Sequence, residues 1–396
     1  MVGPQKQKLN IHIASDILFT ALYLGLTSFG GPIAHLGYFH TVYVKNKQWL
    51  EEELYHELVS LCQFLPGPAS TQLGIAIGIY RGGICGGFLA WLGFTAPSAI
   101  FLYLAFYGLH ELPSEQLLWI HGLKIVAVAV VAQALWSMSL KLTPDRPRIL
   151  IAIFGAILIL LWPNAYMQLI LIITAALGGI FFKKAPPVVL LNKPAHSPIN
   201  RKTGAVALFL FFLLLFGLPL LREIFDNQPL AVFDSFYRTG ALVFGGGHVV
   251  LPMLENEVIP VGWVDQNQFL TGYGLTQAVP GPLFTFATYL GTAMDGWKGA
   301  LLTTIAIFLP SFLFVIGILP FWNALRAKPA LQSVLWSVNA IVVGILFAAL
   351  YTPIWTSSIQ HTFDFVIVII CFTMLQILKM PAWTVVICAC GLSILQ

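Results

Sequence analysis

The chain has 396 residues, of which 58% are hydrophobic and 9% charged, with a mean hydropathy of +0.85 and a formal net charge of +4. So little polar surface excludes a soluble globule of this length and assigns an all-α polytopic membrane protein. A positive charge this small and scattered excludes nucleic acid as a partner, and the 5 cysteines, odd in number, in apolar segments and without a Cys-x-x-Cys pair, read as packed thiols.

Lys6 and Lys8 precede Asp16 without a small-residue cleavage pattern, so no removable signal peptide is expected. The first predicted element runs from about Ser15 to Tyr43 and is broken at Ser28-Phe29-Gly30-Gly31-Pro32. The second spans about Leu54 to Tyr80 and is broken at Leu65-Pro66-Gly67-Pro68. Gly and Pro remove helix propensity and, at Pro, a backbone donor. Non-helical backbone at membrane depth survives only where it is buried in protein or lines a cavity, so the breaks mark the expected solute site. Ordinary hydrophobic segments follow near 84–108, 117–140, 148–163 and 165–182, the last two joined tightly at Trp162-Pro163-Asn164. Lys183 to Lys202 then carries Lys183, Lys184, Lys193, Arg201, Lys202 and four prolines but no acid. The expected organisation is an N-terminal repeat over 1–182, a basic cytoplasmic linker over 183–203, a connecting transmembrane helix over 204–222 and a C-terminal repeat over 223–396.

The second half repeats the first. Phe29-Gly30-Gly31 matches Phe244-Gly245-Gly246, Trp49 matches Trp263, Gln63 matches Gln277, and Pro66-Gly67-Pro68 matches Pro280-Gly281-Pro282. Gly83, Gly86, Pro97 and Ser98 match Gly296, Gly299, Pro310 and Ser311, so an internal duplication is expected. Loop charge orients the copies: 141–148 holds Lys141, Arg146 and Arg148 and the 110–116 loop no Lys or Arg, whereas 323–329 holds Arg326 and Lys328 and 353–362 neither Lys nor Arg. By the positive-inside rule equivalent loops lie on opposite sides, which makes the repeats inverted. Half-elements of under about 15 residues reach roughly 22 Å, enough to enter the bilayer and return. Re-entrant hairpins meeting near the midplane are therefore expected, with about nine full crossings and four hairpins, against about thirteen crossings if the elements span. Either count puts the N-terminus in the cytoplasm and the C-terminus outside.

Four broken tips would present helix N-termini, with unpaired N–H groups and the positive dipole end, to one point. That is an anion site built from backbone at Gly30, Gly31, Gly67, Gly245, Gly246 and Gly281. Ser70, Thr71 and Thr285 follow the Pro-Gly-Pro breaks and offer hydroxyls, and Gln63 and Gln277 precede them. Arg238 is an intramembrane cation that either serves the anion path or pairs with Asp234. Lys124, opposite Asn339 in the repeat, joins the candidates, as do His35 and His248 just past the breaks. Isolated Gly or Pro also permits mere kinks or close packing, as read for Gly74-x-x-x-Gly78 and Gly83-x-x-x-Gly87. No catalytic constellation holds: Glu53-x-x-His56 has Asn267 and Leu270 at its repeat positions, and Ser60 stands where His56-Glu57 would need a second histidine. No cofactor and no metal is expected.

The segments Ser28 to Pro32, Leu65 to Pro68, Phe244 to Gly247 and Val279 to Pro282, with Trp49, Trp263, Gly82-Gly83 and Pro97, resemble the long two-half form of the chromate ion transporter family. The resemblance covers nearly the whole chain, with Val279 a conservative departure from Leu. It implies outward transport of chromate across the bacterial inner membrane and chromate resistance. A sulfate or other tetrahedral oxyanion permease is the alternative, since chromate and sulfate are dianions of similar size and shape. The partners expected are the oxyanion and the lipid bilayer, with a homodimer left open.

Overall fold

The computed structural model describes residues 10–110, 118–162, 165–182, 197–244, 247–325 and 328–395, and among them every regular element is a helix. Many helix starts are fixed by short polar side chains. Asn10, Asp145, Asn200, Asn227 and Asp265 each accept a backbone N–H of the first turn, a cap worth about 1 kcal/mol. The cap at Asn200 starts its helix at Arg201, so Arg201 and Lys202 belong to the helix rather than to the linker expected before 204.

In order, α1 is Ile11–Thr27, α2 is Pro32–Phe39 and runs into a π-helical stretch, His40–Asn46, and α3 is Glu52–Phe64. Next come α4 (Ala69–His110), α5 (Leu118–Leu142), α6 (Arg146–Leu161), α7 (Ala165–Phe182) and α8 (Arg201–Ile224). The second half holds α9 (Gln228–Leu242), α10 (Val250–Val258), α11 (Gln266–Ala278) and α12 (Phe286–Ile318). The short α13 (Trp322–Leu325), then α14 (Pro329–Ala349), the single turn α15 (Thr356–Ser358), α16 (Thr362–Gln376) and α17 (Ala382–Ser393) complete it.

Both expected breaks exist. Ser28 to Gly31 separates α1 from α2, and Leu65 to Pro68 separates α3 from α4. The broken elements double back. Lys47 beyond α2 reaches Asp16 near the start of α1 at 2.7 Å, and the Arg81 guanidinium lies 5.3 Å from the centroid of Trp49, just before α3. In the second half Ser235 of α9 donates to Glu257 of α10 at 2.6 Å, which brings that element back too.

α4 and α12 are themselves hairpins. Gly82 and Gly83 leave helical geometry (Gly83 φ +66°), as do Asp295 and Gly296 (Gly296 φ +53°). The arms then lie backbone to backbone: a Cβ on Gly78 would strike the carbonyl of Gly86, and one on Gly291 that of Gly299. Thr303 ties the second hairpin by donating to Ala287 O at 2.7 Å.

Among the described residues five stretches are long and apolar enough to cross a bilayer, 69–109, 119–142, 201–224, 283–325 and 332–358, and the first and fourth contain the two hairpin turns. α6, α7, α16 and α17, with 16, 18, 15 and 12 residues, fall short of the roughly 20 that a full crossing needs, so their flanking residues must complete any crossing. The outer faces fit hydrocarbon. On α6 Leu150, Ile153, Phe154, Ile157 and Leu161 are exposed, while small Ala152, Gly155 and Ala156 turn inward. Gly155 there packs against Ile341 of α14, the small-residue contact that membrane helices use to approach closely. The buried side chains form several clusters: Phe39 and Phe94 belong to one, Tyr237 to a second, and Tyr273, Phe284 and Phe286 to a third, all essentially fully buried.

Candidate functional site

The tips hold each other across the two halves. Gly67, at φ +114°, donates its N–H to Val243 O at 2.7 Å, just before the Phe244 break. Gly281, at φ +105°, donates to Ser28 O at 3.0 Å, just before the Phe29 break. Flanking contacts exchange in the same way: a Cβ on Gly67 would lie 3.1 Å from Ser311 Oγ, and one on Gly281 2.9 Å from Ser98 Oγ. Each Pro-Gly-Pro tip is thus wedged between a break and a long helix of the opposite half. Positive φ is open to glycine at little cost, so these two positions require it.

Around the tips lies a cavity of about 840 Å³. The residues that open four helices line it: Gly31 before α2, Pro68 before α4, Gly247 before α10 and Leu283 before α12. Of the residues singled out from sequence, Gly30, Gly31, His35, Ser70, His248, Gln277 and Gly281 line this one cavity. Gly67, Thr71 and Thr285 are buried beside it; Thr285 spends its hydroxyl on Pro282 O at 2.7 Å, whereas Thr71 Oγ1 has no partner among the described residues. Gly245 and Gly246 lie outside the described residues. Four candidates are elsewhere. Gln63 is exposed on α3. Lys124 points its Nζ to Asn267 Oδ1 at 3.3 Å, and Asn339, half-buried on α14, does not line the cavity. Arg238 is clamped by Asp234 at 3.0 Å and Glu257 at 2.9 Å, with Arg222 3.6 Å from Asp234 on the same cluster. The pairing with Asp234 is therefore present, and Glu257, whose side chain sequence reasoning did not weigh, completes it.

Several buried polar atoms near the tips lack a hydrogen-bond partner among the described residues, including Ser28 Oγ, His35 Nε2, Thr71 Oγ1 and Gln277 Nε2. Leaving such groups dry costs about 1–3 kcal/mol each, and of the four His35 and Gln277 belong to the cavity wall, where water or a polar solute can answer them. His35 Nδ1 meets Ser70 Oγ at 3.2 Å, and His248 Nδ1 meets the Tyr273 hydroxyl at 2.8 Å. When the phenol donates to Nδ1, the imidazole proton is left on Nε2, which lies 3.8 Å from where a Cβ on Gly31 of the opposing tip would stand. Tyr38, Gln133, Lys141, Thr276, Gln376 and Lys379 also line the cavity. Gln133, Lys141, Gln376 and Lys379 come from segments distant in sequence from the breaks, whereas Tyr38, one turn past His35, and Thr276, beside Gln277, lie within reach of the breaks and were passed over. Among its described lining residues there is no carboxylate. Nor does any group of three His, Cys, Asp or Glu gather among the described residues to hold a metal.

Comparison with known proteins follows this geometry. The family model described as "Chromate transporter" matches residues 15–180 and 230–394. A chromate transport protein of Pseudomonas aeruginosa is 28% identical over 335 residues, covering 83% of this chain and 78% of the relative. One of Cupriavidus metallidurans is 27% identical, covering 83% and 79%, and an uncharacterized transporter of Methanocaldococcus jannaschii is 26% identical, covering 86% and 85%. No solved structure matches the chain.

Proposed function

The chain belongs to the chromate transporter family, a set of multi-pass membrane proteins, and from that premise we propose that it carries chromate, a tetrahedral dianion, outward across a bacterial inner membrane. One observation supports this most: the cavity at which four helices begin offers amide, histidine and lysine groups and, among its described lining residues, no carboxylate. Helix N-termini favour anions through their free N–H groups and dipole. The hydroxyl of Ser70 and the amide of Gln277 add neutral donors, which bind a dianion without trapping it by full charge.

The reciprocal hydrogen bonds of Gly67 and Gly281 support two inverted repeats, and the doubled-back elements support re-entrant hairpins whose tips meet at the midplane. With the loop charges this reading puts the N-terminus in the cytoplasm and the C-terminus outside. Moving two negative charges outward from a negative interior gains roughly 4.6 kcal/mol per 100 mV, so the membrane potential alone drives export against a gradient on the order of a thousandfold. Chromate resistance follows from such export.

Radiolabelled chromate flux in proteoliposomes, with the potential clamped at opposite signs by a potassium gradient and valinomycin, tests the reading. Flux that follows the sign of the potential is expected; flux indifferent to voltage refutes potential-driven export. Sulfate flux in the absence of chromate flux would reassign the substrate and leave the architecture standing.

A further inference from the structure

Two lysines stand among the polar groups of the cavity wall. Lys141 closes the last turn of α5, and Lys379 sits in the turn between α16 and α17; both are exposed, and both line the same cavity as Gly31, His35 and His248. Among the described residues neither forms an ion pair, and the cavity wall holds no acid to neutralise them. Two cations that share an opening and lack a counter-charge favour whatever anion enters.

The backbone at Lys379 adds to this. The end of α16 is closed by Leu378 N–H donating to Thr373 O at 3.1 Å and Met380 N–H to Met374 O at 2.9 Å. Lys379 between them takes φ +52°, the left-handed conformation that helix ends ordinarily give to glycine. The chain keeps a long cationic side chain where a residue without one would sit with less strain. Phe29, at the first break, lies against Trp383 just beyond, with ring centroids 6.2 Å apart, so this turn is packed directly onto the tip region.

We propose that Lys141 and Lys379 form the selectivity mouth of the cavity, a paired cationic gateway that concentrates dianions over monoanions on their way to the helix N-termini. This rests on the oxyanion-transport reading and extends it with two residues and a charge preference. The loop of Lys141 carries Arg146 and Arg148, and the turn of Lys379 falls on the same side in the nine-crossing topology, so the mouth opens to the cytoplasm, where an exported anion is collected. A dianion gains twice as much as a monoanion from each lysine, and the gain fades with salt because the Debye length is only about 8 Å at physiological ionic strength.

The experiment is chromate and nitrate flux in proteoliposomes at low and high ionic strength for wild type, Lys141→Gln/Lys379→Gly and Lys141→Arg. Lys379→Gly suits the positive φ, so it removes the charge without endangering the fold, and size-exclusion profiles verify that the variants are folded. The double variant is expected to raise KM for chromate about 10-fold at low salt and to lose most of the salt dependence, with kcat little changed; Lys141→Arg stays near wild type. Wild-type KM and salt dependence in the folded double variant would overturn the mouth while leaving transport intact. A wild type that carries no oxyanion would instead sink the transport reading, and the mouth with it.

Discussion

Replacing Gly281 by Ala tests the tip junction directly. At φ +105° an L-residue costs about 1–3 kcal/mol of backbone strain. The new Cβ would also stand 2.9 Å from Ser98 Oγ and 3.4 Å from Phe94 O, overpacking that adds about 1–3 kcal/mol. Together these put the loss at about 2–6 kcal/mol, a large share of the 5–15 kcal/mol typical of a folded domain. Ser98→Ala removes the hydroxyl but leaves its Cβ, which the new methyl would approach to 3.3 Å. In that background about 1 kcal/mol of the loss should return while the backbone cost stays. Thermal unfolding in detergent, followed by tryptophan fluorescence and size exclusion, measures the cycle, and chromate flux on the surviving fraction reports the tip. Gly281→Ala with wild-type stability and flux, or no recovery with Ser98→Ala, would refute the wedge geometry. Gly67→Ala should behave alike, because Gln72 Nε2 and Ser311 Oγ lie 2.6 and 3.1 Å from its would-be Cβ.

Arg238→Gln should destabilise the fold by about 3–5 kcal/mol by leaving Asp234 and Glu257 under-compensated, towards the lower end because Arg222 stays within 3.6 Å of Asp234. The yield of monodisperse protein measures that loss, while KM for chromate in the folded fraction should not move. Asp16→Asn should change the unfolding midpoint little, since its pair with Lys47 is 34% and 42% exposed and such pairs contribute about 1 kcal/mol or less. A large loss would mean that this contact holds the first hairpin closed. His248→Ala in a Tyr273→Phe background, which avoids stranding a buried hydroxyl, should raise KM for chromate about 10-fold or more. Unchanged KM would remove His248 from the site.

Much of this was readable before any coordinates. The breaks at Gly30-Gly31 and Pro66-Gly67-Pro68 were visible because Gly and Pro contradict the apolar run around them, and the helix ends they predict are where the chain leaves helical geometry. His35, Ser70 and Gln277 were reachable because they sit within a few residues of a break. Lys141 and Lys379 were not: Lys141 entered only as a loop-orientation signal, nothing in the local pattern marks Lys379, and only the packing of α5 and α17 around the tips brings them to one wall. For Arg238 the pairing with Asp234, four residues earlier, was legible in the local pattern, whereas Glu257 and Arg222, which complete a cluster of two cations and two carboxylates, come from helices whose placement that pattern does not encode.

The crossed hydrogen bonds at the tips bear on how such a chain can be divided. The acceptor for Gly67 N–H is supplied by residue 243, and the acceptor for Gly281 N–H by residue 28, so each half carries a donor whose complement is encoded on the other side of the basic linker. Split into two polypeptides within 183–196, the molecule would still assemble if both pieces were co-expressed. Either piece alone would keep an unanswered amide at its most constrained glycine, a cost of about 1–3 kcal/mol before any lost packing is counted. Each half thus completes the hydrogen bonding of the other, so a change at one tip is felt by its counterpart across the linker.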